Sequence, residues 1–396
     1  MQTVILAAGE GTRMRPLTAD IPKPMLPVAD RPILGHTVDA AISAGAAELV
    51  VVVGYESERI REHVGDRVGD VPVTFAVQER RRGTAHAVNT AADHLTDGPF
   101  AVLNGDSLYD PGSLSTLFES GPAVGSHEVE NPSEYGVLEL TDGSVERVVE
   151  KPFDPPSNLV NTGAYVFPHE AKSWLDVEKS ARGELELTDV LERTSETFDV
   201  EAVPVARWLD VGRPWELLAA NEWKLEELDR SIEGQVHQSA ELIGDVVVED
   251  GATVRSGVVI EGPALVRSGA TVGPNAYLRG ASLLCEDVHV GHAVEVKNSV
   301  VLPGTNVAHL SYVGDSVLGR DVNFGAGTTV ANLRHDDEPV TMRIKGEVVS
   351  TGRRKFGVVA GPGAQTGINT SLNAGVKLPA DSHTKPGETV LRDPGG

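Results

Sequence analysis

The chain has 396 residues and a net charge of −24, which predicts two or three domains with enough apolar material for a buried core. The acidic surplus argues against nucleic acid as a partner, and only 10 of the 34 basic residues are lysine, which favours a halophilic protein over an ordinary acidic enzyme. One cysteine, Cys285, excludes an internal disulfide framework. With no apolar run able to span a bilayer and no signal-peptide pattern, we expect a soluble cytoplasmic protein with no membrane partner.

The first half of the chain alternates strand-like and helix-like segments. The predicted strands are Thr3–Leu6, Leu49–Val53, Val73–Val77 and Phe100–Leu103, and the predicted helices are Ile33–Gly45, Glu56–Val64 and Thr84–Leu95. This alternation predicts an α/β, Rossmann-like domain in which helices cover both faces of a mixed, mostly parallel sheet. Ligands of such sheets bind beyond the carboxyl ends of the strands.

A glycine-containing loop follows the first strand, running from Ala7 to Arg13, and Lys23 stands downstream between two prolines. Small residues and glycines at a strand end let backbone N–H groups approach phosphate oxygens. Arg13 adds a fork of donors and Lys23 a compact charge. The spacing matches neither the P-loop nor the dinucleotide-binding fingerprint. We therefore predict a nucleoside triphosphate site, with a simple tight turn as the alternative.

From Leu242 to Val330 apolar residues follow a period of six. A helical stretch from Arg213 to Ile232 precedes them and is predicted to bridge two domains. No α-helix has a period of six, whereas a three-sided parallel β-helix does, because each short strand contributes one inward aliphatic residue. The phase slips after Ala308 and resumes at Tyr312. The periodic positions are Leu242, Val248, Val254, Ile260, Val266, Val272, Leu278, Leu284, Val290, Val296 and Leu302, then Tyr312, Leu318, Phe324 and Val330.

Three motifs carry a family resemblance over nearly the whole chain: LAAGEGTRMRPLT and PKPMLPV in the first half, and HLSYVGDS in the second. The first half resembles the sugar-1-phosphate nucleotidylyltransferases, and the second resembles the left-handed β-helix acyltransferases. Together they resemble the archaeal form of the bifunctional N-acetylglucosamine-1-phosphate uridylyltransferase / glucosamine-1-phosphate acetyltransferase family. The resemblance implies a nucleotidylyltransferase domain over 1–212, a linker helix over 213–235 and a left-handed β-helix acetyltransferase domain over 236–396.

For the first half, the resemblance implies that Arg13 and Lys23 contact the triphosphate and the transition state, and that Asp106 and Asp210 hold Mg²⁺, which prefers oxygen ligands. Glu10 departs from the family pattern, and we expect its side chain to turn outward, away from the phosphates. The implied nucleotide contacts are Leu6, Ala7, Ala8, Gly9, Gln78, Gly83 and Thr84, and the implied sugar-phosphate contacts are Gly136, Glu150 and Asn161.

For the second half, the resemblance implies that His309 is the catalytic base of acetyl transfer from acetyl-CoA. Histidine suits this role because its ordinary pKa lies near about 6.5. The basic cluster Arg353-Arg354-Lys355 is either a contact to a phosphate of coenzyme A or surface charge, and the residues leave both open. The implied amino-sugar contacts are Arg279, Lys297, Tyr312, Asn323 and Asn332.

The implied function is two-step synthesis of UDP-N-acetylglucosamine from UTP, acetyl-CoA and glucosamine-1-phosphate, by a homotrimer. A close alternative is a glucose-1-phosphate thymidylyl- or uridylyltransferase, using dTTP or UTP, in which the β-helix only oligomerises. Arg15-Pro16-Leu17-Thr18 is common among such hexose-1-phosphate enzymes. A regulatory scaffold with a degenerate pocket is the third possibility, and intact Arg13, Lys23, Asp106 and Asp210 argue against it.

Overall fold

The structure, a computed structural model, describes residues 1–54, 57–180 and 183–394. Its contacts divide the chain into two compact units. The first comprises Met1–Glu10, Lys23–Leu26 and Pro32–Asp210, and the second comprises Gly11–Pro22, Pro27–Arg31 and Val211–Gly396. The division lies close to the predicted boundary at residue 212, but two segments of the N-terminal motif group with the second unit.

The first unit is built on a ten-stranded mixed sheet with apolar clusters on both faces. Val4 packs into one cluster and its neighbour Ile5 into the other, because successive side chains of a strand point to opposite faces. In spatial order the strands are Gly136–Thr141, Ser144–Glu150, Glu201–Pro204, Ala123–Glu128, Leu159–Phe167, Phe100–Asn104, Gln2–Ala7, Glu48–Val53, Val71–Val77 and Arg67–Val68.

The four strands predicted from the sequence are present and pair in parallel, but the sheet is less parallel than predicted. Leu159–Phe167 runs antiparallel to both of its neighbours, and Gly136–Thr141 forms a hairpin with Ser144–Glu150. Asp142 and Gly143 both adopt positive φ at the hairpin turn, as the twist of a two-residue turn requires. This Asp-Gly pair is a sequence signal that the prediction did not use.

Helices cover this sheet close to their predicted positions. Glu56, the predicted first residue of the second helix, lies outside the described residues. No helix in the described part of the chain is long and apolar enough to cross a membrane. The α-helices are Ile33–Ser43, Glu58–Val64, Thr84–Ala91, Pro111–Glu119 and Leu187–Ser195 in the first unit and Pro214–Leu225 in the second, and the short 3-10 helices are Thr12–Met14, Leu17–Ala19, Lys23–Met25, Ala92–His94, Pro132–Glu134 and His169–Trp174.

In the second unit, short strands stack in parallel into three sheets of eight, seven and eight strands, as a β-helix requires. One sheet contains Ser231–Ile232, Val246–Val248, Ala264–Val266, Ser282–Leu284, Val300–Val301, Val317–Leu318, Val359–Ala360 and Lys377–Leu378. The next contains Gln235–Val236, Thr253–Val254, Thr271–Val272, His289–His292, Asn306–His309, Asn323–Phe324 and Gln365–Thr366. The third contains Glu241–Ile243, Val259–Glu261, Tyr277–Arg279, Glu295–Lys297, Tyr312–Gly314, Thr329–Val330, Ser371–Leu372 and Thr389–Val390.

The coil register confirms the six-residue period but corrects where it slips. Leu284 pairs with Val301, and Val296 pairs with Val313, so the core position moves from Val296 to Val301 in a step of five residues. A second step of five leads from Val313 to Leu318, which pairs with Val301. The slip therefore begins before Leu302, earlier than predicted.

Two predicted core positions are displaced by this slip. Val307 and Val313 are fully buried, whereas the predicted Ala308 and Tyr312 are only partly buried. Tyr312 accordingly lies on the outer side of its strand, where its hydroxyl is available for polar contacts. The predicted positions Leu318, Phe324 and Val330 are buried as expected.

The predicted linker helix is shorter than expected, because the helix ends at Leu225 and coil strands begin at Ser231. Within the second unit, Trp215 packs edge-on against Phe356 at 6.3 Å between ring centroids. The helix is thus packed on the coils rather than a free connection. The remaining strand pairs are Ser107–Tyr109 with Trp208–Asp210, Pro27–Val28 with Arg31–Pro32, and Thr341–Ile344 with Glu347–Ser350.

Candidate active sites

A cavity of about 280 Å³ opens at the carboxyl ends of the parallel strands in the first unit. Of the seven predicted nucleotide contacts, all but Ala7 line it, and Ala7 is buried in the strand end. The structure therefore brings together two predicted segments that are about 70 residues apart in the chain. The lining residues are Leu6, Ala8, Gly9, Gln78, Arg81, Gly83, Thr84, Ala87, Asn104, Asp106 and Glu184.

Arg81 is a cavity residue that the sequence analysis missed. Its Nε donates to the carbonyl oxygen of Ala8 at 2.8 Å, and its Nη1 lies 3.5 Å from the Glu10 carboxylate. Glu10 is exposed, and Arg81 offsets the charge that would otherwise repel phosphates here. The signal was present in the run Arg80-Arg81-Arg82.

The segment that carries Gln78 and Gly83 is held by the chain around residues 185–187. Gly83 has φ +125, and a Cβ there would lie 2.2 Å from the Leu185 carbonyl oxygen, so only glycine fits. The side chain of Gln78 donates to the Gly83 carbonyl at 3.2 Å and lies 2.9 Å from His86 Nδ1. Burial, and to a lesser degree Arg82, lowers the pKa of His86, which favours a neutral imidazole that accepts this hydrogen bond.

Lys23 joins the two predicted metal carboxylates. Strand Trp208–Asp210 pairs with Ser107–Tyr109 so that Asp210 lies opposite Ser107, next to Asp106. Lys23 is almost fully buried, with its Nζ 2.7 Å from Asp106 Oδ2 and 3.8 Å from Asp210 Oδ1. Both carboxylates contact the Lys23 ammonium, and carboxylate oxygens are hard donors of the type that Mg²⁺ binds. The donor set thus fits the ion implied by the resemblance.

The three predicted sugar-phosphate residues lie on adjoining strands. Gly136 pairs with Glu150, and a Cβ on Gly136 would approach Glu150 Oε2 to 3.1 Å. Asn161 is buried, and its amide is committed internally: its Nδ2 donates to the Tyr165 hydroxyl at 2.5 Å and its Oδ1 accepts from the Gly163 N–H at 2.7 Å. The amide of Asn161 therefore holds Tyr165 and Gly163 in place on this strand.

Arg13 belongs to the second unit, in a short helical turn at Thr12–Met14. Its guanidinium lies against the backbone of Gly212, where an added Cβ would come within 2.8 Å of Nη2. The N–H of Gly212 donates to Glu216 at 2.7 Å, which fixes the chain at this point. The absence of a side chain at Gly212 makes room for Arg13.

In the second unit, the β-helix aligns most of the predicted amino-sugar contacts on one sheet. Arg279, Lys297 and Gly314 occupy equivalent positions on three successive coils, and Glu295 and Tyr312 occupy the row beside them. Arg279 pairs with Glu295, with Nη2 2.7 Å from Oε1. Two cations and a tyrosine on stacked strands thus form a polar surface on this sheet.

Asp315 organises this surface and was not identified as a site residue from the sequence. Its buried carboxylate accepts from Lys297 Nζ at 2.7 Å, from Asn332 Nδ2 at 2.5 Å and from Asn298 Nδ2 at 3.1 Å. Asn332 Nδ2 also donates to the Tyr312 hydroxyl at 3.1 Å. Burial, followed by the charges of Asp315 and Glu295, raises the pKa of Tyr312, so its hydroxyl keeps its proton at neutral pH. Lys297, Tyr312 and Asn332 are thus linked through one carboxylate.

The other two predicted residues lie on the neighbouring sheet. His309 is exposed at the end of strand Asn306–His309, and the next residue, Leu310, has φ +51 and is 65% exposed. Ser311 donates to the His309 carbonyl at 2.8 Å. Asn323 pairs with Asn306 and Gln365 on that sheet, so it does not adjoin the row of Arg279 and Lys297.

The basic cluster at residues 353–355 is partly neutralised within the unit. Arg353 forms a two-pronged ion pair with Glu222 of the helix Pro214–Leu225, and Glu222 also accepts from Asn298 at 2.8 Å. Arg354 pairs with Asp337 at 2.5 Å. Arg353 is therefore connected to Asp315 by hydrogen bonds through Glu222 and Asn298.

Two family models match the chain. Residues 2–227 match the family described as nucleotidyl transferase, and residues 260–380 match the GMPPB C-terminal domain. Among solved structures, a putative glucose-1-phosphate thymidylyltransferase from Bacillus anthracis in complex with a sucrose superposes with a TM-score of 0.52 at 26% identity, covering 56% of this chain and 94% of that one.

Curated relatives match both halves together. The chain is 42% identical over 392 residues to the bifunctional protein GlmU of Methanococcus vannielii, covering 96% of this chain and 93% of that protein. It is 38% identical over 403 residues to the bifunctional sugar-1-phosphate nucleotidylyltransferase/acetyltransferase of Sulfurisphaera tokodaii, covering 100% and 98%. These matches confirm the resemblance carried by the sequence motifs. The chain therefore belongs to the nucleotidyl transferase family, among the bifunctional sugar-1-phosphate nucleotidylyltransferase/acetyltransferases.

Proposed function

We propose that the protein makes UDP-N-acetylglucosamine in two reactions, acetyl transfer to glucosamine-1-phosphate and uridylyl transfer to the product. The full-length match to bifunctional relatives carries this proposal, because it spans both halves of the chain at 38–42% identity. Each half also contains a cluster of polar side chains suited to one of the two reactions. The nucleotidyl-transfer site is assigned to residues 1–212 and the acetyl-transfer site to residues 236–396.

In the nucleotidyl-transfer site, an oxygen of the sugar-1-phosphate attacks the α-phosphorus of UTP and pyrophosphate leaves. Lys23 and Arg13 neutralise charge that accumulates on the phosphates, and the cavity backbone positions the nucleotide. Gln78 and the Gly83–Thr84 backbone are proposed to face the base. Asp106 and Asp210 would hold Mg²⁺, which when bound neutralises phosphate charge and orients the oxygens.

In the acetyl-transfer site, the amine of glucosamine-1-phosphate attacks the thioester carbonyl of acetyl-CoA. The C–N bond forms as the C–S bond breaks, His309 takes the proton from the amine, and the coenzyme A thiolate leaves and receives that proton to become the free thiol. Arg279 and Lys297 are proposed to bind the sugar phosphate, with Tyr312 and Asn332 on the amino sugar. Asn323, on the neighbouring sheet, is proposed as a further contact to the amino sugar.

The β-helix is proposed to be left-handed, as in the acyltransferases that it resembles, and to assemble as a homotrimer. Three-sided β-helix enzymes commonly pack side by side, which would place acyl-donor sites between subunits. Exposed Leu310, next to His309, is consistent with such an interface. UTP and acetyl-CoA are cytoplasmic metabolites, and we propose that compartment for both reactions.

The competing function is hexose-1-phosphate thymidylyl- or uridylyl transfer alone, which the thymidylyltransferase likeness favours for the first half. One assay separates the two functions. Purified protein in molar KCl receives glucosamine-1-phosphate and acetyl-CoA, and thiol release is followed. In a second measurement, the rate of UDP- or dTDP-sugar formation is compared for UTP and dTTP, each with N-acetylglucosamine-1-phosphate and with glucose-1-phosphate. Thiol release and a preference for UTP with the acetylated sugar support the proposal, whereas no thiol release from the wild type leaves nucleotidyl transfer alone.

A further inference from the structure

A second and larger cavity, of about 590 Å³, lies within the second unit, and none of the residues assigned to either reaction lines it. Its volume is within the range of about 300–1,000 Å³ that is usual for small-molecule sites. One wall is the segment that follows Arg13 in the N-terminal motif, and the other is formed by the last coils. The lining residues are Arg15, Pro16, Thr18, Ala19, Lys377, Pro379, Ala380, Asp393 and Pro394.

The motif wall of this cavity is firmly anchored to the coils. Leu17 is fully buried, and Asp20 pairs with Arg320 at 3.5 Å. Pro16 packs so tightly on Gly361 that an added Cβ there would come within 2.8 Å of the proline. The cavity therefore has a defined shape set by packed residues.

Lys377 is the chemical feature that indicates a ligand. Its side chain is only 18% exposed, yet among the described residues its acidic partner, Asp393, lies 3.8 Å from Nζ, beyond hydrogen-bond distance. The other oxygen of Asp393 instead accepts the backbone N–H of Lys377 at 2.8 Å. Burial lowers the pKa of Lys377; the charge of Asp393 acts in the opposite direction, and the charge of Arg343 adds a smaller lowering effect. A half-buried ammonium in this setting is under-compensated, and a bound anion would stabilise it.

We infer that this cavity binds a phosphorylated small molecule, with its phosphate at Lys377 and its carbon skeleton against the proline and alanine side chains. Arg15 adds a second cation to a lining that holds one carboxylate, Asp393, so the formal charge of the lining is positive in a chain of net charge −24. Residues 15–19 lie between Arg13 and Lys23 in the chain, so a bound ligand adds contacts to the segment that joins two nucleotidyl-transfer residues. The site therefore regulates that reaction, and this last step rests on the proposed function.

Binding is tested by thermal denaturation with three probes that are not substrates of the proposed reactions: inorganic phosphate, glucose-6-phosphate and fructose 1,6-bisphosphate. We expect a saturable rise in the denaturation midpoint for the wild type with at least one probe, and at least a fivefold weaker response for Lys377→Met. Exposed Lys385 provides the matched control, and Lys385→Met and Lys377→Arg should respond like the wild type. No shift in the wild type, or an equal shift in Lys377→Met, overturns the site.

Regulation is tested by the rate of UDP-sugar formation with and without the binding probe. We expect at least a twofold change in the wild type and in Lys385→Met, but none in Lys377→Met. A midpoint shift with an unchanged rate overturns regulation and keeps the binding site. A wild type with no UDP-sugar formation refutes the proposed function and leaves the binding measurement valid.

Discussion

Replacing Asp315 with asparagine should selectively damage acetyl transfer. The carboxylate accepts from three donors, Lys297 and Asn332 on one oxygen and Asn298 on the other. Asparagine has one acceptor oxygen, so whichever way its amide turns, an NH₂ group faces at least one donor. Asp315 has φ +49, a backbone conformation that asparagine tolerates, so the fold should survive.

The cost follows from the burial of the pair. The side chains of Asp315 and Lys297 are 4% and 16% exposed, so water cannot replace the lost partner. One mismatched donor, together with loss of the charge on the remaining bonds, should lower the free energy of unfolding by about 2–4 kcal/mol. Removing the carboxylate also relieves its repulsion of the substrate phosphate, but Lys297 already offsets that charge locally. The loss of positioning should dominate.

The assay compares Asp315→Asn with Asp321→Asn, whose aspartate also has positive φ in a coil turn but is exposed. We expect kcat/KM for thiol release to fall at least about tenfold in the first variant, which corresponds to about 1.4 kcal/mol. The control should stay within about 0.5 kcal/mol of the wild type in stability. UDP-sugar formation should be unchanged in both. Equal thiol release by the two variants would refute the positioning role of Asp315.

The remaining predictions concern both sites and the whole chain. Lys23→Ala should reduce UDP-sugar formation at least about 100-fold while sparing thiol release, and His309→Ala should do the reverse; joint loss in either variant would contradict two separate sites. Gly83→Ala, which drives a Cβ into the Leu185 carbonyl, should raise the KM for UTP about tenfold, and an unchanged KM would mean that this segment does not contact the nucleotide. Raising KCl from about 0.2 M to about 2 M should increase the denaturation midpoint, because screening reduces repulsion among the excess acidic groups; a flat or falling midpoint would argue against a halophilic protein.

Features that depend on local pattern were predictable from the sequence. Leu49–Val53 of the strand Glu48–Val53 is a buried run of apolar and β-branched residues, and the glycine loop follows a similar run at Ala7. Because the carboxyl ends of parallel strands share one edge, these local patterns were enough to place the nucleotide cavity. The six-residue period of the coils could likewise be recognised from the sequence, since each inward residue must be apolar.

Features that depend on contacts distant in the chain were not predictable. Arg81 reaches the glycine loop only after the sheet brings residues 8 and 81 together, and Asp315 gains its role from Asn298 and Lys297 on the preceding coil. The five-residue steps were also missed, because Leu302 is buried and apolar like the true core residue Val301. Periodicity alone could not choose between these neighbours.

Three cations of the proposed sites are already paired with carboxylates. Lys23 faces Asp106 and Asp210, Lys297 faces Asp315, and Arg279 faces Glu295. In a chain this acidic, an ordered pair keeps each cation in one rotamer, so an arriving phosphate meets donors that need little further ordering. The same pairing weakens attraction at long range, so binding must depend on hydrogen-bond geometry more than on diffuse charge. Each of these three cations has a carboxylate oxygen at 2.7 Å, whereas the described acidic partner of Lys377 lies at 3.8 Å, and that difference distinguishes the proposed regulatory cavity from the two reaction sites.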